Sequence, residues 1–133
     1  MSFRHFLIII LALIALNLFA DAEAKPLNVI NTFRKLDENA IHQMAMRAPN
    51  LVIVLDQVGC GACEMAKDFI KKIDTPNIQY VFVDYSRVPA KYTTAHASPT
   101  FLFFKDGQYK GQYVGVPRTP QLLLKEINKG LGK

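Results

Sequence analysis

The chemistry in this chain is concentrated in its only two cysteines, Cys60 and Cys63, which bracket Gly61 and Ala62. Two thiols at that spacing can cycle between dithiol and disulfide. One thiolate attacks an external disulfide, and the other then attacks the mixed disulfide and releases the product. A structural staple is the poorer reading, because stapled exported domains carry several cysteines spread along the chain. Gly59 precedes the pair, and Ala66, Phe69, Ile70 and Ile73 follow on one helical stripe. Cys60 is therefore expected at or just before the first turn of a helix, with Cys63 one turn deeper on the same face. Unpaired N–H groups and the macrodipole favour negative charge there. A thiol so placed has its pKa lowered from roughly 8.5 to about 7 or below. Cys60 is thus the expected nucleophile and Cys63 the resolving thiol. Gly61 and Ala62 are small enough to leave the outer sulfur open to a protein substrate. The competing chemistry is half of a zinc or copper site. The chain beyond residue 24 offers only His42 and His96 besides carboxylates, and neither is paired at ligand spacing. No metal site and no cofactor are expected.

The flanking segments indicate how the pair is held. Val29 to Phe33 reads as a short strand, and Asp37 as the N-cap of a helix running to Arg47, with Ile41, Met44, Ala45 and Ala48 on its apolar face. Leu51 to Leu55 is a continuous β-prone run, as a strand buried on both faces requires. Ile78 to Val83 is a second such run. Pro89 to Ala95 is expected to hold a short helix opened by proline. Thr100 to Phe104 and Tyr109 to Val114 form a hairpin around Lys105-Asp106-Gly107-Gln108. Thr119 caps a last helix containing Leu122, Leu123, Glu126 and Ile127, with Gly130 as its stop. The order β-α-β-α-β-α-β-β-α implies an α/β domain, a mixed sheet covered by helices on both faces.

Length and composition bound the rest. The 133 residues allow one domain, and the formal net charge of +5 comes from scattered Lys and Arg. The tightest cluster, Lys67, Lys71 and Lys72, lacks interleaved aromatics and reads as a solvated face, so no nucleic-acid partner is expected. Phe6 to Ala20 is an apolar run behind Arg4, followed by Ala20-Asp21-Ala22 and Ala22-Glu23-Ala24. This pattern describes a secretory signal peptide over 1–24, cleaved after Ala22 or Ala24, leaving a domain over 25–133 in the periplasm or secreted. An uncleaved membrane anchor is the alternative. It is disfavoured because a spanning helix wants roughly 20 apolar residues and this run is shorter and carries Asn17.

Several of these features in this order resemble the thioredoxin superfamily: Cys60-Gly-Ala-Cys63, then Asp84 after the third strand, Ser98-Pro99-Thr100 opening the strand Phe101 to Phe104, Lys105-Asp106-Gly107 at the turn, and Gly115. The resemblance implies a thioredoxin fold and a protein-disulfide oxidoreductase. It also implies a cis bond at Pro99, with the backbone of Ser98 free to pair with an extended substrate strand. The expected partners are protein disulfides or dithiols and a separate redox partner, with the domain a monomer and free of the membrane after cleavage. Neither a large helical insertion nor a dimerisation domain is evident, which favours a reductase over an oxidase or isomerase. Two departures stand out. Gly59 replaces the tryptophan usual before the first cysteine, and Val54 replaces the buried aspartate that helps the deeper cysteine lose its proton. Asp56 lies two residues on and, by strand alternation, on the same face, so it is the candidate for that proton-transfer role. The same departures support an alternative, a binding or assembly module with little general redox activity.

Overall fold

The computed structural model describes residues 28–133; the expected signal peptide over 1–24 lies outside the described residues. Five strands form one sheet in the order β1-β3-β2-β4-β5: β1 (Val29–Thr32), β2 (Asn50–Asp56), β3 (Gln79–Asp84), β4 (Thr100–Lys105) and β5 (Gln108–Val114). β1, β3 and β2 run parallel, while β4 is antiparallel to β2 and β5 to β4. Helix α1 (Glu38–Arg47) covers one face; α2 (Gly61–Lys72) and α3 (Pro120–Gly130) cover the other. No helix among the described residues is long and apolar enough to cross a membrane.

β2 is the axis of the fold because its alternate residues feed two cores. Leu51, Ile53 and Leu55 pack with Ile41 and Ala45 of α1, and with Val81, Val83, Leu102 and Phe104 of the neighbouring strands. Val52 and Val54 face the other way, into Ala66, Phe69 and Ile70 of α2 and Leu123 and Ile127 of α3. A strand buried on both faces has no polar side to show, which explains its unbroken apolar run. The helices are capped as their sequences require. Asp37 accepts from the Ala40 N–H at 2.8 Å and Thr119 from the Leu122 N–H at 3.2 Å, each satisfying a donor the helix cannot.

Two expectations need adjusting. The short helix opened by Pro89 is present only as a single 3₁₀ turn, Ala90–Tyr92, and not as an α-helix reaching Ala95; another 3₁₀ turn, Tyr85–Arg87, precedes it. The turns are closed locally. Asp84 accepts from both the N–H and the hydroxyl of Ser86, and Thr93 turns its hydroxyl back onto the Ala90 carbonyl at 3.1 Å. Such side-chain bonds compete with helix propagation. Nor does Gly130 stop α3. It is the last helical residue, with Leu131 as the cap and Gly132 taking the positive φ (72°). Gly130 is there because of its neighbour: a Cβ at this position would sit 2.3 Å from the ring of Phe103, which is buried in the core.

Gly130→Ala therefore sets helix propensity against packing. Propensity alone favours alanine by about 1 kcal/mol, but the overlap with a buried ring costs typically 1–3 kcal/mol. We expect a net loss of stability in urea unfolding, whereas a gain would show that the ring moves aside freely. A second prediction concerns Tyr80, which is buried in the α2/α3 core and shares a 2.8 Å hydrogen bond with the Thr75 hydroxyl. Burial pushes its phenol up to about 12, against the smaller opposing effect of Thr75. The folded state thus keeps this proton while the unfolded chain loses it near pH 10. Stability is complete below that pH and declines as pH rises from about 10 to about 12, by up to about 1.4 kcal/mol per pH unit from this one group. In Tyr80→Phe that part of the alkaline slope should vanish from unfolding free energies measured across the same range.

Candidate active site

β2 ends at Asp56, opposite Asp84 of β3, and the chain leaves the sheet through Gln57-Val58-Gly59. The Cys60 N–H closes this turn on the Gln57 carbonyl at 3.2 Å, and Gly59 adopts φ +78°, a basin open to glycine at little cost. Cys60 is the N-cap of α2. Its Sγ accepts the Cys63 N–H at 3.0 Å, the bond that a Ser or Asp side chain usually makes at this position. The two cysteines are joined by a disulfide with Cα atoms 5.2 Å apart. Their surroundings differ sharply: Cys63 is 0% exposed in the α2 core, while Cys60 is half-buried at the helix mouth beside Val58, which is 95% exposed. On reduction, the sulfur at the mouth is the one aimed at by helix N–H groups and open to a partner.

The second wall comes from the opposite strand. β4 is antiparallel to β2 with Leu55 paired to Thr100, so the chain entering β4 sits next to the chain leaving β2. The Ser98–Pro99 bond is cis. Thr100 is buried, with its hydroxyl donating to the Ala97 carbonyl at 2.7 Å, and the Gly115 N–H donates to the Pro99 carbonyl at 2.7 Å. Ser98 keeps its own N–H and C=O free of intrachain partners among the described residues. Its hydroxyl donates to Gln57 Oε1 at 3.1 Å, across the gap between the two loops. Ser98, Pro99 and Thr100 therefore share one end of the sheet with Cys60 and Cys63.

Asp56 lies on the α2 side, as alternation with Val54 requires, and each oxygen of its carboxylate has a partner. Oδ2 pairs with Lys67 Nζ at 3.1 Å, and Oδ1 accepts the Gln57 N–H at 2.6 Å. Lys67 also approaches Glu64 at 3.6 Å and lies 5.3 Å over the ring of Phe82. Burial alone would lower the Lys67 pKa, but the hydrogen bond and charge of Asp56, reinforced by Glu64, outweigh it and hold the ammonium above its usual range. Lys67 thus separates from the surface cluster it forms in sequence with Lys71 and Lys72, of which Lys72 pairs with Asp68 in the helix. Gln57 and Lys67 are the two site residues missed from sequence. Lys67 had a signal, four residues after Cys63 and hence on its face; Gln57 had none, since its partner lies 41 positions away. His42 and His96 are both exposed, and among the described residues no three His, Cys, Asp or Glu side chains converge as metal ligands would.

This sheet order, with a cysteine pair at the start of the helix after the central strand and a cis proline entering the neighbouring strand at the same end of the sheet, defines a thioredoxin-fold protein with a disulfide-capable C-x-x-C pair. No family model matches the sequence. Over 60 residues the chain is 43% identical to Thioredoxin-2 of Pyricularia oryzae, a match covering 42% of this chain and 35% of that protein. The match thus spans about a third of its relative's length. Among solved structures, mitochondrial thioredoxin 3 of Saccharomyces cerevisiae in its oxidised form superposes with a TM-score of 0.60 at 26% identity, over 76% of this chain and 94% of that one. Malassezia sympodialis thioredoxin gives 0.56 at 27% identity, over 77% and 92%. In fold, and over part of its sequence, the chain is similar to proteins of the thioredoxin superfamily.

The asymmetry of the pair predicts the order of its reactions with an alkylating agent. In the reduced protein at about pH 6, iodoacetamide should label Cys60 before Cys63, because the former is both accessible and stabilised as thiolate by the helix terminus. Peptide mapping of the singly labelled species reads this directly, and label arriving first on Cys63 would reverse the assignment.

Proposed function

We propose that the protein is a thiol–disulfide oxidoreductase that reduces disulfides in other proteins, exported behind a signal peptide over 1–24 and working as a monomer in the periplasm or outside the cell. The observation that carries the reading is the Cys60 sulfur at the N-cap of α2, hydrogen-bonded by the Cys63 N–H, with Cys63 buried directly behind it. In the reduced protein the Cys60 thiolate attacks one sulfur of a substrate disulfide. The other substrate sulfur leaves as a thiolate, and a mixed disulfide forms. Cys63 then loses its proton and attacks the Cys60 sulfur. The second substrate thiolate departs, and the Cys60–Cys63 disulfide remains. Two electrons pass to the substrate, and a separate dithiol donor must return them. The free N–H and C=O of Ser98, held beside cis Pro99, offer an extended substrate segment a short strand to pair with. Such pairing uses main-chain groups and so selects little for sequence.

Asp56 is assigned to the proton step. The support is its position: it lies on the α2 side of β2 and pairs at 3.1 Å with Lys67, one helical turn beyond Cys63. The apolar N-terminal run and its two A-x-A sites support export.

The reading is tested by insulin reduction with dithiothreitol as donor: turnover well above the uncatalysed rate is expected, and a flat trace would favour a binding module instead. A reduction potential nearer about −270 mV than about −120 mV is the expected mark of a reductase. In Cys63→Ser the mixed disulfide with substrate should accumulate on Cys60, visible by mass. For Asp56→Asn, resolution should slow roughly tenfold or more while the first attack by Cys60 keeps its rate. If both steps run at wild-type rates from about pH 6 to about pH 9, the proton leaves by another route.

A further inference from the structure

Gln57 makes three hydrogen bonds in three directions. Its N–H donates to Asp56 Oδ1 at 2.6 Å, at the end of β2. Its C=O accepts from the Cys60 N–H at 3.2 Å, closing the cysteine loop. Its side-chain Oε1 accepts from the Ser98 hydroxyl at 3.1 Å. Among the described residues, this last bond is the one side-chain hydrogen bond between the cysteine loop and the segment leading into Pro99. The remaining ties of that segment are internal or lie beyond it. The His96 N–H bonds to Thr93, the Thr100 hydroxyl to Ala97, and Gly115, just past β5, holds Pro99.

An exposed amide has water as an equally good partner, so the bond to Ser98 adds little to stability. Its effect is positional. The residue it holds is the one whose N–H and C=O are free, and the residue that holds it, three positions before Cys60, is pinned at both backbone groups. We propose that Gln57 is a positioning residue that fixes Ser98 against the cysteine loop, and so sets how an extended peptide lies across Cys60. The inference rests on the reading of Ser98 as a strand-pairing edge. It assigns Gln57 no contact with the reacting sulfurs. Any substrate held through its main chain should therefore feel its loss, and a small disulfide with no chain to align should not.

Three measurements decide this. In Gln57→Ala the KM for insulin should rise about threefold to tenfold, the range one hydrogen bond sustains, with kcat within about twofold. The rate with a small aromatic disulfide should follow the wild type. Gln57→Glu, which keeps an acceptor at the same reach, should restore KM. Gln57→Ala and Ser98→Ala should be non-additive, the double variant being no worse than the worse single. Hydrogen exchange in the oxidised full chain should quicken about threefold to tenfold in Gln57→Ala at the His96 and Gly115 N–H groups, whose bonds to Thr93 and Pro99 flank Ser98. Equal losses on insulin and on the small disulfide would overturn the proposal, since Gln57 would then be acting on the cysteines themselves. So would additive effects of the two alanines, or unchanged exchange. Should the wild type itself fail to turn over insulin, the proposed function fails, and exchange still decides the positioning: acceleration supports it and no change overturns it.

Discussion

A strand buried on both faces must stop being apolar at some residue, and here that residue is Asp56. Up to Leu55 the chain alternates between two cores, with α1 on one side and α2 and α3 on the other. At Asp56 it reaches the rim, where a carboxylate can be met by Lys67 and by the next backbone N–H. The chain then turns at Gly59 and enters α2 with Cys60 as the cap. The position of the reactive sulfur is therefore a consequence of where β2 runs out of core. Moving that end by one residue would reverse which side chains face which core, and the cap would no longer coincide with a cysteine.

The same constraint explains why much of the molecule is legible from residue patterns. The runs Leu51 to Leu55 and Thr100 to Phe104 carry their burial in their composition. Asp37, Cys60 and Thr119 each occupy the cap position that the following apolar stripe implies. Signals that act between neighbours in sequence were readable. The failures lie where the deciding partner is distant or the competition is local. Gly130 looks like a helix stop, but Phe103 of β4 dictates it. Pro89 does open a helix, but the bond from the Thr93 hydroxyl to the Ala90 carbonyl keeps it to one 3₁₀ turn.

In the site the division is similar. The cysteines, the cis proline and the face occupied by Asp56 follow from spacing, alternation and the family resemblance. The ion pair with Lys67 and the tie from Gln57 to Ser98 follow only from the meeting of elements that the sheet brings together. Val54 fills the position where a buried carboxylate would stand. The charge instead lies two residues further along, at the edge of solvent, with an ammonium beside it.

The enclosure of Cys63 has one more consequence, for damage rather than turnover. A peroxide arriving from solvent meets Cys60 alone, since Cys63 is 0% exposed. The sulfenic acid formed there has a thiol one helical turn behind it, which displaces water and closes the disulfide. Further oxidation to the sulfinic and sulfonic acids, the steps that are not readily reversed, needs a second oxidant to arrive before that collapse. The buried partner thus guards the exposed one, because closing the disulfide takes both sulfurs off the path to further oxidation.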